Sequence, residues 1–427
     1  MFATADPFRT LAVIALLACT AAAPAQTAPP AASQPAASRP VDREIYGRLQ
    51  RAYNVPVVEV WGTPEQAGFA HGYLLAPQIV ALFDDYASNP MILGATDGYE
   101  QLLKAASQRL TWKPEWQQEL EGILRGMHER MGADAVYSQR LKRPLTLDDL
   151  KAVNALSDFR GLGCSTISVW GPLTFDGRTL TARNLDFPYT ELMIRSQILL
   201  VRRNTGDRRS WLSVTWPGLI GVYTAMNDNG VTAMIHDAPG LRPSSADGFS
   251  PRSLALRDAL ETSAAGTFAT DFQTSLARHK FIRGNSFHVS APAPADGSPA
   301  ALVFECDGNE KDGGITLRRP AGVEKHLSAM YCTNHMRART DPTKCKRFET
   351  FEATVQQAID RGQTFDGSKM LATMDSVRQS DTIHTVVAEP ETRVMYVRIP
   401  GVATTAQRFQ VGEWFRRPAD KPVKAKL

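Results

Sequence analysis

No Gly-x-Ser-x-Gly elbow, no His-Glu-x-x-His pair and no repeated Cys-x-x-Cys spacing occurs in the 427 residues. The first absence argues against a serine α/β-hydrolase, the other two against a zinc site, and no cofactor is called for. Charge of one sign is also lacking: 48 Lys and Arg against 44 Asp and Glu leave a net +4, and the basic residues are scattered. With no basic stripe interleaved with aromatics, nothing points to nucleic acid. The apolar run Leu11-Ala-Val-Ile-Ala-Leu-Leu-Ala18 is too short to span a bilayer, and no internal repeat is visible. Cysteine is scarce, with five residues, and none of the eight histidines lies near Cys164 in sequence.

What remains is the composition of a soluble globular protein, 43% hydrophobic and 22% charged. The length suits one large domain or two ordinary ones with a sizeable core. Arg9, the short apolar run and Ala23-Pro24-Ala25 read as a secretory signal peptide over residues 1–25. The protein is therefore expected in the periplasm or the medium. Leu16-Leu-Ala-Cys19 offers a lipoprotein box as the alternative, with Cys19 as lipid anchor and the sole membrane attachment, although bulky Leu17 weakens it. Residues 26–41 are rich in Pro, Ala and Ser, a flexible linker. An oxidising compartment permits a disulfide among Cys306, Cys332 and Cys345, the last two being the nearest in sequence.

Residues 42–163 are expected to form a helical prosegment. Pro64 opens a helix through about Tyr86, Pro114 opens another through Met131, and Thr146-Leu-Asp-Asp149 resembles a capping box that starts a third. After Cys164 the period switches to two. Strands are expected at 164–170, 194–202, 210–216, 286–290, 301–306 and 326–333, with hairpins at 225–234 and 382–399. Helices are expected at 251–262, 268–279, 344–361 and 368–377. Strands and helix pairs alternating in this order suit an α+β fold, a four-layer αββα sandwich of two antiparallel sheets between helical layers, over residues 164–427.

Cys164 follows Gly161 and Gly163 and opens a strand, and Asp176-Gly177 turns the chain back so that Arg183 and Asp186 return beside it. A thiol, a guanidinium and a carboxylate thus share one hairpin. A thiol is nucleophilic as thiolate, and with no nearby histidine the base must come from elsewhere. Cleavage of the Gly163–Cys164 bond would give Cys164 an α-amine of pKa about 8, suited to general-base work. The plain alternative is a buried thiol that only begins a strand.

Gly163-Cys164-Ser165-Thr166, the Asp-Gly-Arg turn and Ala182-Arg-Asn-Leu-Asp-Phe187 resemble the N-terminal-nucleophile hydrolases of the isopenicillin N acyltransferase type, related to choloylglycine hydrolases and acid ceramidases. Glu65-Gln-Ala-Gly-Phe-Ala-His-Gly72, Pro217-Gly-Leu-Ile-Gly221 with Met226-Asn-Asp-Asn-Gly230, and Cys332-Thr-Asn-His335 resemble further motifs in the same order. The resemblance implies a precursor that cuts itself between Gly163 and Cys164, leaving two associated fragments. It implies Cys164 as nucleophile, Arg183 and Asp186 beside it, Asn334 and Asn227 as oxyanion donors, and Arg347 as a second arginine. A plain turn role is the alternative for Asn227, and an exposed salt bridge suits Arg347 as well as catalysis does. Ala225 departs from the glycine that relatives often place there.

The expected activity is hydrolysis of a small-molecule N-acyl amide, or acyl transfer from it, through a thioester. An ester or phospholipid hydrolase, an uncleaved binding protein and a Cys-His protease are the alternatives.

Overall fold

The computed structural model describes residues 43–309, 314–321, 324–340, 344–417 and 421–425. The signal segment, the linker and Cys19 lie outside the described residues.

The fold is α+β, two sheets face to face with helices on both outer faces. One sheet has nine strands, in the order Ile315–Arg318, Ala301–Cys306, Asn285–Ser290, Thr232–Asp237, Thr224–Asn227, Trp211–Thr215, Ile198–Arg202, Val55–Val60, Gly47–Ala52. The other has six: Ala329–Cys332, Gly163–Gly171, Gly177–Asp186, Thr382–Glu389, Val394–Arg398, Gln407–Gln410. Pairing is antiparallel except where Val55–Val60 runs parallel to Ile198–Arg202, with Val57 opposite Leu199. Helices Pro64–Leu82, Arg252–Thr262 and Phe268–Leu276 cover the larger sheet; Lys346–Asp360 and Gly367–Ser376 cover the smaller.

Alternation along Gly163–Gly171 builds both sides of the smaller sheet. Ile167 and Val169 face the helical layer and pack with Phe348, Phe351 and Met374. Thr166 and Ser168 face the other sheet, where a polar seam replaces apolar packing. Thr166 Oγ1 meets His236 Nε2 at 2.8 Å, and Ser168 Oγ meets His288 Nε2 at 2.7 Å. Thr181 Oγ1 continues the seam to Ser168 and to Ser290.

Two expectations need correction. The segment before Cys164 is not wholly helical: Gly47–Ala52 and Val55–Val60 extend the larger sheet. Val55–Val60 is buried on both faces, so apolar residues stand at successive positions, broken only by the ion-paired Glu59, in place of alternation. The strand expected from Ile194 starts at Ile198, because Thr190 caps a short helix, Glu191–Arg195, accepting from Met193 N. The capping box at Thr146 does form, with Thr146 and Asp149 bonding reciprocally at the start of Leu147–Phe159. Cys164, Cys306, Cys332 and Cys345 are all buried and none is joined to another. Cys332 and Cys345 both turn to Thr333, through its carbonyl and its hydroxyl.

Candidate active site

Cross-strand register assembles the centre. Gly163 pairs with Asp186, Cys164 with Leu185 and Thr166 with Arg183, so the hairpin brings all three polar groups to one end of the smaller sheet. A Cβ on Gly163 would stand 2.9 Å from Asp186 Cβ, so the approach of the two strands requires glycine there.

Arg183, fully buried, donates from Nη2 to Cys164 Sγ at 3.1 Å and to Ile235 O at 2.6 Å, and from Nη1 to Tyr223 O. The thiol itself donates to Ile235 O at 3.3 Å. Burial pushes the Cys164 thiol up, against the pull of the Arg183 charge, so in the intact chain the sulfur is protonated at neutral pH. Burial also raises Asp186, opposed by hydrogen bonding from Thr382 Oγ1 at 2.6 Å and by the Arg347 charge.

The loop after Ala329–Cys332 delivers Asn334. Its Oδ1 accepts from Cys164 N at 2.8 Å and from Arg347 Nη2 at 2.8 Å. Its Nδ2 donates to Leu162 O and Asp237 O, both at 2.7 Å. The Arg347 contact fixes which end of the amide is oxygen. Asn334 therefore grips the chain on both sides of the Gly163–Cys164 bond. Arg347 is part of the same cluster and not an exposed salt bridge, donating from Nη1 to Cys164 O at 2.6 Å, Ser165 Oγ at 2.8 Å and Asp186 Oδ2 at 3.4 Å.

Asn227 is not brought to this cluster, which corrects the expectation of a second donor. It lies four residues along the chain from Tyr223, about 13 Å at strand rise. Its Nδ2 is spent on Leu260 O and Ser263 O, and its Oδ1 accepts from Asn229 N and Val231 N. It is a turn residue. Asp237, at the opposite end of that hairpin's second arm, is what meets Asn334, and Thr382 and Ser165 also join the site. Ser165 lies inside the Gly163–Thr166 motif, whereas Asp237 and Thr382 reach the site through long-range contacts that no motif marks.

His71, His236, His279, His288, His326 and His384 are each hydrogen-bonded to groups other than Cys164. His71 Nε2 accepts from Gly218 N at 3.0 Å, and burial lowers its pKa to about 4.

An apolar cavity lies against Leu162 and against Leu185, the cross-strand partner of Cys164, with about 730 Å³ of empty space including its open mouth. Leu82, Phe83, Tyr86, Leu150 and Leu156 from the N-terminal segment form one wall. Leu185, Phe187, Trp216, Leu219 and Tyr223 form another, and Leu162, two residues before Cys164, completes it. Upstream, Asp158 Oδ1 accepts from Arg252 N at 2.9 Å, while burial pushes its carboxyl up to about 7.

No family model matches the chain. An uncharacterized protein of Archaeoglobus fulgidus is 23% identical over 197 residues, 42% of this chain and 32% of that protein. The chain thus spans about a third of the length of the curated relative it matches. Among solved structures, a Caenorhabditis elegans ortholog of N-acylethanolamine-hydrolyzing acid amidase is 19% identical with a TM-score of 0.39, covering 58% of this chain and 100% of its own. A mutant conjugated bile acid hydrolase from Clostridium perfringens is 11% identical with a TM-score of 0.40, covering 62% and 97%. Penicillin V acylase from Agrobacterium tumefaciens is 15% identical with a TM-score of 0.37, covering 58% and 85%.

Proposed function

We propose that the chain is an exported, self-cleaving cysteine amide hydrolase of the N-terminal-nucleophile kind, acting on small N-acyl amides with an apolar acyl group. One observation carries the reading: Arg183 lies 3.1 Å from the Cys164 sulfur while Asn334 holds Cys164 N and Leu162 O, the groups flanking Gly163.

In the first reaction the thiol attacks the Gly163 carbonyl. The C–S bond forms as the C–N bond breaks, and the thiol proton passes to the released Cys164 nitrogen. Water then cleaves the thioester, giving a Gly163 carboxylate and a free thiol. In turnover the new α-amine takes the thiol proton and returns it to the departing amine of the substrate. Asn334 Oδ1 is positioned to retain that amine; its Nδ2, held in the uncut chain by Leu162 O and Asp237 O, serves as an oxyanion donor, a contribution of about 3 kcal/mol, once the cut lets Leu162 O withdraw. The acyl side of the scissile bond is Leu162-Gly163, and Leu162 lines the apolar cavity. This supports an apolar acyl group there in the external substrate. The cavity suits a lipid ester as well, and comparing amide with oxygen-ester turnover separates the two activities.

Intact-mass measurement and N-terminal sequencing of exported protein test the proposal. The expected result is two fragments, the larger beginning Cys-Ser-Thr-Ile, with Cys164→Ala uncut and inactive. The same spectrum reports removal of the signal segment, or lipid on Cys19. An uncut chain with full amidase activity defeats the reading.

A further inference from the structure

Asn334 sits on a stretch whose described residues form no helix or strand. The strand Ala329–Cys332 ends two residues before it, and the helix Lys346–Asp360 begins twelve residues after it. A side chain that must meet a reacting bond needs placement within about half an ångström, and an irregular loop does not supply that by itself. Something else fixes the path.

Glu305 does so from the other sheet. It belongs to the strand Ala301–Cys306, opposite Ser286 and Thr316, and is fully buried. Its Oε1 accepts from Arg337 N at 2.8 Å, and its Oε2 from Ala338 N and Arg339 N, both at 2.9 Å. Three consecutive backbone donors thus converge on one carboxylate. Arg318 Nε, 3.0 Å from Oε1, balances the buried charge. Just past the end of its strand, Asp307 accepts from Arg339 Nη2 at 2.9 Å, fastening the same segment again. Bonds to an ionised acceptor are the stronger class, and both oxygens are needed to serve all three N–H groups.

We infer that Glu305 is a positioning residue, which holds the 333–339 segment so that Asn334 stays in register with the Gly163–Cys164 bond. The inference rests on the self-cleavage proposed above. Glu305 touches none of the reacting groups; it acts through the loop. A glutamine in its place keeps the size but turns an NH₂ toward one or more of the backbone N–H groups, donor against donor.

The test is the first-order rate constant of self-scission in folded precursor, isolated by gel filtration and followed by mass, for wild type, Glu305→Gln and Glu305→Asp. A loss of stability alone lowers the amount of folded precursor and leaves the rate constant untouched. The expected result is a fall of about ten- to a hundredfold for Glu305→Gln, as for a small misplacement of a working group. Glu305→Asp, which keeps both oxygens and the charge facing Arg318, recovers part of the rate. It carries the test if the glutamine variant does not fold, with a rate constant below that of wild type expected. Rate constants equal to wild type overturn this inference alone, and a wild type that never cuts overturns both it and the proposed function.

Discussion

Arg183 answers two opposed effects at one sulfur. Burial of Cys164 disfavours the thiolate, and the guanidinium at 3.1 Å favours it. The remaining hydrogen bonds of Arg183 go to the carbonyls of Tyr223 and Ile235, which orient the group without removing its charge. Replacing it by methionine keeps much of the volume and deletes the favourable half. In the cut form of Arg183→Met, alkylation of Cys164 by iodoacetamide should therefore move to higher pH and slow at pH 7; an unchanged pH profile would show that the arginine only packs. Cys164, Arg183 and Asp186 were legible in the sequence because one turn joins them. Asn334 and Arg347 came only by resemblance, since 170 residues or more separate them from Cys164. Asn227 was misread for a physical reason: an asparagine before an Asn-Gly turn can satisfy its own loop, and this one does. Glu305 had no signal, because a carboxylate that serves another segment's backbone looks like any strand glutamate.

At the scale of elements, two helices meet just before the Gly163–Cys164 bond. Asp158, in the last turn of Leu147–Phe159, caps the first turn of Arg252–Thr262 through Arg252 N. The second helix's N-terminus favours the negative charge, as does the Arg252 guanidinium, but burial outweighs both and the carboxyl is held at about 7. Between the ordinary value of 3.8 and 7 the folded chain carries one more proton here than the unfolded chain. Stability from this group therefore falls as pH rises across that window, by roughly 4 kcal/mol, and levels off above it. Asp158→Asn keeps an acceptor for Arg252 N and has no charge to desolvate. Its thermal midpoint should overtake that of wild type as pH rises from 4 to 8, the difference growing through the window. A difference that stays constant with pH would place the cost elsewhere. The capped helix at Thr146 was readable because its signal is local, whereas the strand Val55–Val60 lacked alternation and passed for part of a helical region.

Across the whole molecule, the proposed cut would not divide the core. The residues before Gly163 supply two strands of the nine-stranded sheet, one paired directly with Ile198–Arg202. Buried Glu59 on that strand forms ion pairs with Arg203 and Arg417, and Trp61 Nε1 donates to Lys421 O at 2.9 Å. Glu119 on the helix Pro114–Met131 pairs with buried Arg257 at 2.8 Å. The apolar cavity also takes walls from both sides of residue 164. Breaking one peptide bond removes none of these contacts, and a shared core of this kind is that of an obligate interface. The two fragments should therefore elute together under native conditions and separate only in denaturant, in a single transition that removes activity and strand signal together. If the smaller fragment came away during native gel filtration while the larger kept its activity, the cavity walls contributed by residues 79–87 and 150–157 would have no part in binding the acyl group.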